Sequence, residues 1–460
     1  MNKHAPLLIV VLIALQCVRA AAAASSVTVT EKDEVIPTYL SGPPDPNPMF
    51  YFGRMSQGAE DRIYPYPLHN NLTHSKGDQT YRLVYLENEY VKIGIAPGIG
   101  GRLFSALDKT NGYDYVYRQH VIKPALIGLI GAWISGGVEW NIPHHHRAST
   151  FLPVQYRIEN NADGSKTVWV GELEIRDRMR WAVGYTLRPG SSVLTCSIRI
   201  LNRTPIEQTM LCFANIAVNT NEHYQIIYPP STQWVTHHFK REFTQWPIAR
   251  QPYGGVKWDG QDVSFDRNHH AANSMFAWNY DEDFCAGYDH GKQAGFLSVA
   301  DHHIVPGKKF WTWGNGPRGK LWEKILTDND GPYIELMVGA YSDNQPDYTW
   351  LQPYAARSFD MNWYPFRDIG GVKDATVDAA VNVEVKDGVI HYGFYSTRAQ
   401  KGATARLTVS GKAVVETAIA IDPAKPYANK IPLPTGATAH DVRASLLDAA
   451  GRELVGYTPI

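Results

Sequence analysis

Val168-Trp169-Val170-Gly171-Glu172-Leu173-Glu174-Ile175 carries apolar residues at period two, the spacing of a strand with one buried face. The turn cluster Asn161-Ala162-Asp163-Gly164 precedes it. Arg180–Leu187, Val193–Leu201 and Met210–Asn219 continue the pattern, punctuated by Pro189-Gly190-Ser191. Upstream, Tyr81–Glu87 and Tyr90–Ala96 flank Asn88 as a hairpin. Downstream, Gly295–Ala300, Tyr333–Val338 and Ala355–Trp363 extend the series. A 3.6-residue period shows only weakly, at Lys373–Ala380, which is read as a short helix. Many strands separated by turns indicate an all-β sandwich or barrel.

Near residue 380 aromatics thin out and Ala, Val, Thr and Lys take over. Residues 381–460 read as a small immunoglobulin-like β-sandwich, with Asp448-Ala449-Ala450-Gly451 as a hairpin turn. Residues 76–380 form the main domain. Residues 25–75 are Pro-rich with no clean strand beyond Val27–Thr30, and are expected to wrap over it. Residues 1–24 have a charged start, an apolar run from Leu7 to Val18 and an alanine end, as in a secretory signal cleaved near Ala24. That run is too short to span a bilayer, which needs about 20 apolar residues. The expected location is secreted or periplasmic.

The 460 residues carry 44 Lys plus Arg against 45 Asp plus Glu. This balance argues against nucleic acid as a partner. The 13 Trp, 26 Tyr and 15 Phe exclude a disordered composition and suit neutral ligands such as sugars, whose C–H faces stack on aromatic rings. Beyond the leader lie Cys196, Cys212 and Cys285. A hairpin about Asn202-Arg203-Thr204-Pro205 would set Cys196 opposite Cys212, either as a disulfide or as two buried thiols.

Gly136-Gly137-Val138-Glu139-Trp140-Asn141-Ile142-Pro143-His144-His145-His146 is the most unusual stretch. Its histidines read as sugar contacts or proton shuttles, as structural imidazoles, or as metal ligands, with His144 and His146 the pair for a divalent ion. Glu139 lies between Val138 and Trp140, where desolvation would raise its pKa and suit a general acid. Glu335 shares a strand face with Tyr333 and Met337, opposite Ile334, Leu336 and Val338, and is the second candidate catalytic carboxylate. His223, after a strand end, is a further candidate beside His145. Trp311 and Trp313 are candidate stacking platforms. Asp343 and Gln345, in a polar loop, are candidates for hydroxyl recognition, as are Asn141 and His144. Arg102 is a candidate for a substrate carboxylate.

Ala96-Pro97-Gly98-Ile99-Gly100-Gly101-Arg102-Leu103, following a strand, resembles the opening of aldose-epimerase-like proteins. With Asp108-Lys109, Lys123-Pro124-Ala125, Gly136–His145 and Pro306–Gly314, the pattern is similar to the DUF5107 family over roughly residues 80–370. The resemblance implies a galactose-mutarotase-like supersandwich whose concave face binds carbohydrate. Mutarotases pair a carboxylate base with a His acid; by resemblance Glu335 would be the base, and His145 or His223 the acid. The reading is a secreted carbohydrate-active enzyme, a glycoside hydrolase using Glu139 and Glu335 on a poly- or oligosaccharide and requiring no cofactor. Its alternatives are an aldose 1-epimerase-like enzyme, a polysaccharide lyase and a non-catalytic glycan-binding protein.

Overall fold

The structure is a computed structural model, and it describes residues 25–45, 55–56, 59–60, 63, 65–127, 131–144 and 146–460. The expected leader and His145 lie outside them. Two sheets face each other across the main core. The larger has twelve strands, running from the edge Thr28–Ser41 through Leu72–Glu87, Val91–Ala96, Arg102–Asp108, Val138–Asn141, Cys212–Asn219, Tyr333–Ala340, Gly307–Thr312 and Asn273–Trp278 to Trp234–Thr236 and Phe243–Gln245; Tyr113–Val116 pairs with Arg102–Asp108. The smaller has eight, with Lys166–Leu173, Met179–Leu187 and Leu194–Asn202 at one end and Ala356–Arg367 joining them to Ala294–Val299. The fold is all-β, as the alternation predicts.

Directly opposed residues in an antiparallel ladder point to one face, so register sorts the side chains. Val138, Ile216 and Leu336 lie on the inner face of the large sheet and are 2% exposed or less. They meet Trp181, Ile198 and Trp363 of the small sheet in one core. Trp140 stacks on Trp363 at 5.6 Å and donates its indole N–H to the Tyr185 hydroxyl at 2.7 Å. That satisfies the one polar atom a buried indole brings inside.

Three expectations change. Thr28–Ser41 does not wrap over the domain; it is an edge strand in register with Leu72–Glu87, from Thr28 opposite Glu87 to Ser41 opposite Leu72. Its mixed, half-exposed side chains hid the strand. Lys373–Ala380 is extended, with Asp374–Ala375 pairing with Ala379–Lys386, and no helix forms there. The helix lies at Pro317–Leu326, where Pro at the first turn suits a helix start and ten residues are too few for a clear period. Cys196 and Cys212 do not face each other across a hairpin. Gln208–Met210 leaves to pair with Thr349–Leu351, so the Cys212 strand enters the large sheet while Cys196 stays in the small one. Both are free and buried, as is Cys285.

The small C-terminal sandwich is present. Its two four-stranded sheets begin at Asp374, slightly before the composition change, and enclose their own core around Val381, Phe394, Leu407 and Leu446. No helix among the described residues is long and apolar enough to cross a membrane. Unfolding residues 25–460 in denaturant without reductant should release three thiols per chain in a dithionitrobenzoate assay. One thiol per chain would instead mean that a bridge had formed.

Candidate active site

The outward face of the large sheet carries the charges. Glu139 opposes Asn215, Asn215 opposes Met337, and Met337 opposes Lys309. One residue pair along, Ala217 opposes Glu335, and Glu335 opposes Trp311. Alternation therefore places Glu139, Glu335 and Lys309 on one face, across neighbouring strands.

Gly136 and Gly137 start the Glu139 strand with φ of 83° and 62°. A Cβ on Gly137 would lie 2.2 Å from the Leu103 carbonyl oxygen, so the close approach requires glycine. Arg102, fully buried, donates Nη1 to the carbonyls of Ile134 at 3.0 Å and Gly136 at 2.8 Å. Arg102 thus holds this loop.

Glu139 is 3% exposed and fully engaged. It accepts from Trp133 Nε1 at 2.9 Å, Thr150 Oγ1 at 2.9 Å and His146 Nδ1 at 3.1 Å. Burial pushes its pKa up, but the His146 imidazole, the nearby Arg102 and the Trp133 hydrogen bond outweigh burial and hold the carboxyl well below the usual range. Glu139 is an ionised anchor, which overturns the expectation of a raised-pKa acid. Burial disfavours the His146 imidazolium, yet Glu139 outweighs it and raises that pKa. The result is an imidazole oriented through Nδ1 by the Glu139 carboxylate.

Glu335 is 7% exposed and has no hydrogen-bond partner among the described residues. Burial first, and the charge of Glu139 second, push its carboxyl up to about 7; Lys309, His146 and Arg102 pull the other way. Lys309 Nζ lies 2.7 Å from Gln345 Oε1 and 3.1 Å from His238 Nε2, and burial draws its pKa down to about 7. Trp311 and Tyr348 pack beside the Phe213, Phe276 and Met337 cluster. Trp313 stands 5.5 Å from Trp311 and donates to the Tyr333 hydroxyl at 3.0 Å. A cavity of about 250 Å³ lined by Tyr117, Trp313 and Tyr333 adjoins this aromatic row.

The other expected residues divide. Trp311, Trp313 and Gln345 join the site. Asn141, two residues along the strand from Glu139 and opposite Phe213, is fully buried, with both amide atoms unpartnered among the described residues. His144 turns to the Thr209 carbonyl at 2.9 Å and to Asp177 at 3.2 Å, while His146 turns to Glu139, so the two imidazoles do not face a common point. Asp343 pairs with Lys240 at 2.8 Å. His223 is exposed on a turn, 3.3 Å from Glu222, apart from Glu335. Among the described residues, Asp301, His302 and His303 group their ligand atoms within 4.8 Å on an exposed turn. The sequence does not single out Lys309, and it offers His146 within the histidine block and as a metal ligand beside His144, not as the partner of Glu139. Lys309 sits beside Lys308 in Gly307–Thr312, so its sequence surroundings do not mark it as Glu335 is marked by its apolar strand.

Residues 59–377 match the family described as a domain of unknown function, DUF5107, and the chain belongs to that family. Residues 374–457 match the second domain of YphG-like proteins. A TPR-domain containing protein from Parabacteroides distasonis is 24% identical, with a TM-score of 0.63 over 74% of this chain and 56% of its own. The chain thus spans little more than half of that protein. Galactose mutarotase-like proteins from Clostridium acetobutylicum and Lactobacillus casei are 12% and 11% identical, with TM-scores of 0.43 and 0.42. They cover 63% and 62% of this chain and 96% and 99% of their own.

Replacing Glu139 with Ala should destabilise the fold by about 3–5 kcal/mol, because it strands buried cationic partners. Urea unfolding reads this directly. The depressed pKa makes the Glu139 contribution complete above the ordinary carboxyl value of 4.5 and lost as pH falls below it, so the gap between wild type and variant should close in acid.

Proposed function

We propose that the protein acts on a carbohydrate by acid–base chemistry at the anomeric centre, with Glu335 as base and His146 as acid. The observation that carries this is Glu335 itself, a buried carboxyl without a hydrogen-bond partner among the described residues, raised to about 7 and opposite Trp311 in the ladder. A base works best when its pKa lies near the working pH. Indole faces suit the C–H faces of a sugar ring; Trp311 is opposite Glu335 in the ladder, and Trp313 is 5.5 Å from Trp311. Glu139 keeps His146 oriented and proton-rich. In the proposed step Glu335 takes the proton of the anomeric hydroxyl while His146 protonates the ring oxygen, and the ring opens. Reclosure on the other face inverts the anomer. No cofactor enters this step.

Two-carboxylate glycoside hydrolysis is the second reading. The aromatic row running from Trp311 through Trp313 to Trp322, long enough for more than one sugar unit, favours it. It needs a second free carboxylate, however, and Glu139 is held by three donors. Export through the leader over residues 1–24 belongs to the same proposal, and N-terminal sequencing of the mature protein tests it.

The test measures anomer exchange by NMR and reducing-end release across a panel of sugars and glycans. Replacing Glu335 with Gln should lower turnover by about 10²–10⁴-fold. Because a base must be ionised, turnover should rise as pH rises through about 7 and lose that limb in the variant. A rate that instead rises as pH falls, with release of reducing ends, makes Glu335 an acid and favours hydrolysis. Unchanged turnover in Glu335→Gln removes Glu335 from the reaction.

A further inference from the structure

Lys309 is 3% exposed on the face that carries Glu335, and the acid–base step above gives it no task. Lysines are almost never fully buried unless paired. Its nitrogen has two close polar neighbours, Gln345 Oε1 at 2.7 Å and His238 Nε2 at 3.1 Å. The amide oxygen only accepts. His238 is buried, and burial above all keeps it neutral. Its Nδ1 meets the Ser274 hydroxyl at 2.9 Å. With the ring proton assigned to that nitrogen, Nε2 is an acceptor as well. The two N–H bonds of a neutral amine satisfy both neighbours.

A third proton on Nζ finds no hydrogen-bond acceptor among the described residues. Its surroundings there are the Phe276 ring, with the centroid 5.0 Å away, and the field of Glu335. No contact of 4.0 Å or less joins Nζ to the Glu335 carboxyl. Glu335 in turn faces Glu139, Lys309, His146 and Arg102. The pair COOH/NH2 and the pair COO⁻/NH3⁺ hold the same protons and the same net charge. Desolvation favours the first, as does the fixed charge of Glu139; a polar substrate entering the gap favours the second.

We propose that Lys309 and Glu335 are one proton-sharing pair, in which Lys309 takes the Glu335 proton when substrate arrives and so creates the base. The carboxyl O–H bond breaks, an N–H bond forms on Nζ, and a substrate hydroxyl between the two groups relays the proton. The carboxylate then accepts the anomeric proton, and the reverse transfer restores the pair when product leaves. One proton moves within the site and no co-reactant is consumed. Lys309 is in this sense a positioning residue for a proton, held by Gln345, His238 and Ser274. The inference rests on the reading of Glu335 as the base.

The test reads protonation directly. Protein carrying [13Cε]lysine is titrated by NMR, with Lys309→Met assigning the resonance and Gln345→Leu as a second assignment variant should the first not fold. Lys309 should titrate near 7, against about 10.4 for ordinary lysines. Removing the carboxylate in Glu335→Gln should lower that midpoint by about one unit or more. Titration with the ordinary lysines, or a midpoint unmoved by Glu335→Gln, overturns the pair. Linked midpoints with no sugar turnover leave the pair standing and sink the proposed function. Glu335-dependent turnover with unlinked midpoints does the reverse.

Discussion

A carboxylate that is 3% exposed must be compensated, and the compensation of Glu139 organises the candidate site. Desolvating the charge costs several kcal/mol unless donors replace water. Three do so here, from Trp133, Thr150 and His146, with Arg102 supplying a nearby positive charge. These donors come from segments on either side of the strand, the short strand Ala132–Trp133 before it and the turns after it, so the anion ties those segments to the sheet. The fixed charge then acts outward: it holds His146 as a proton-rich imidazole and makes a second negative charge nearby unfavourable. Glu335 and Lys309 take their unusual character from that field and from their own burial.

The two-residue period of the ladder makes this arrangement compatible with a stable core. On the strands Val138–Asn141, Cys212–Asn219, Tyr333–Ala340 and Gly307–Thr312, one set of alternate residues fills the space between the sheets and the other set faces the site. A shift of one residue would put the carboxylates into the core. Register is therefore held by the full apolar burial of Val138, Trp140, Ile216 and Leu336, and chemistry on the outer face inherits that rigidity.

Much of this was legible residue by residue. Alternation revealed the strands of both sheets and the C-terminal sandwich, and it marked Glu335 as a charge on an apolar strand. In Gly307–Thr312 the neighbouring Lys308 masks that signal for Lys309. Glu139 was legible as a site residue but not in its charge state. Its nearest sequence neighbours are apolar, whereas its donors lie six, seven and eleven residues away in loops whose path no local period encodes. Cys196 and Cys212 show the same limit, since a hairpin inferred from their spacing ignores the detour of Gln208–Met210 to another strand.

The sequence by itself determined the class of fold, a change of character near residue 380, and which carboxylate stands on an apolar strand face, because these follow from local period and composition. Only the tertiary structure decided which groups share an electric field. Glu139, His146, Lys309 and Glu335 span almost two hundred residues of chain and meet because four strands pair in one register. A pKa depends on the few ångströms around a group, and those neighbours are chosen by packing rather than by position along the chain.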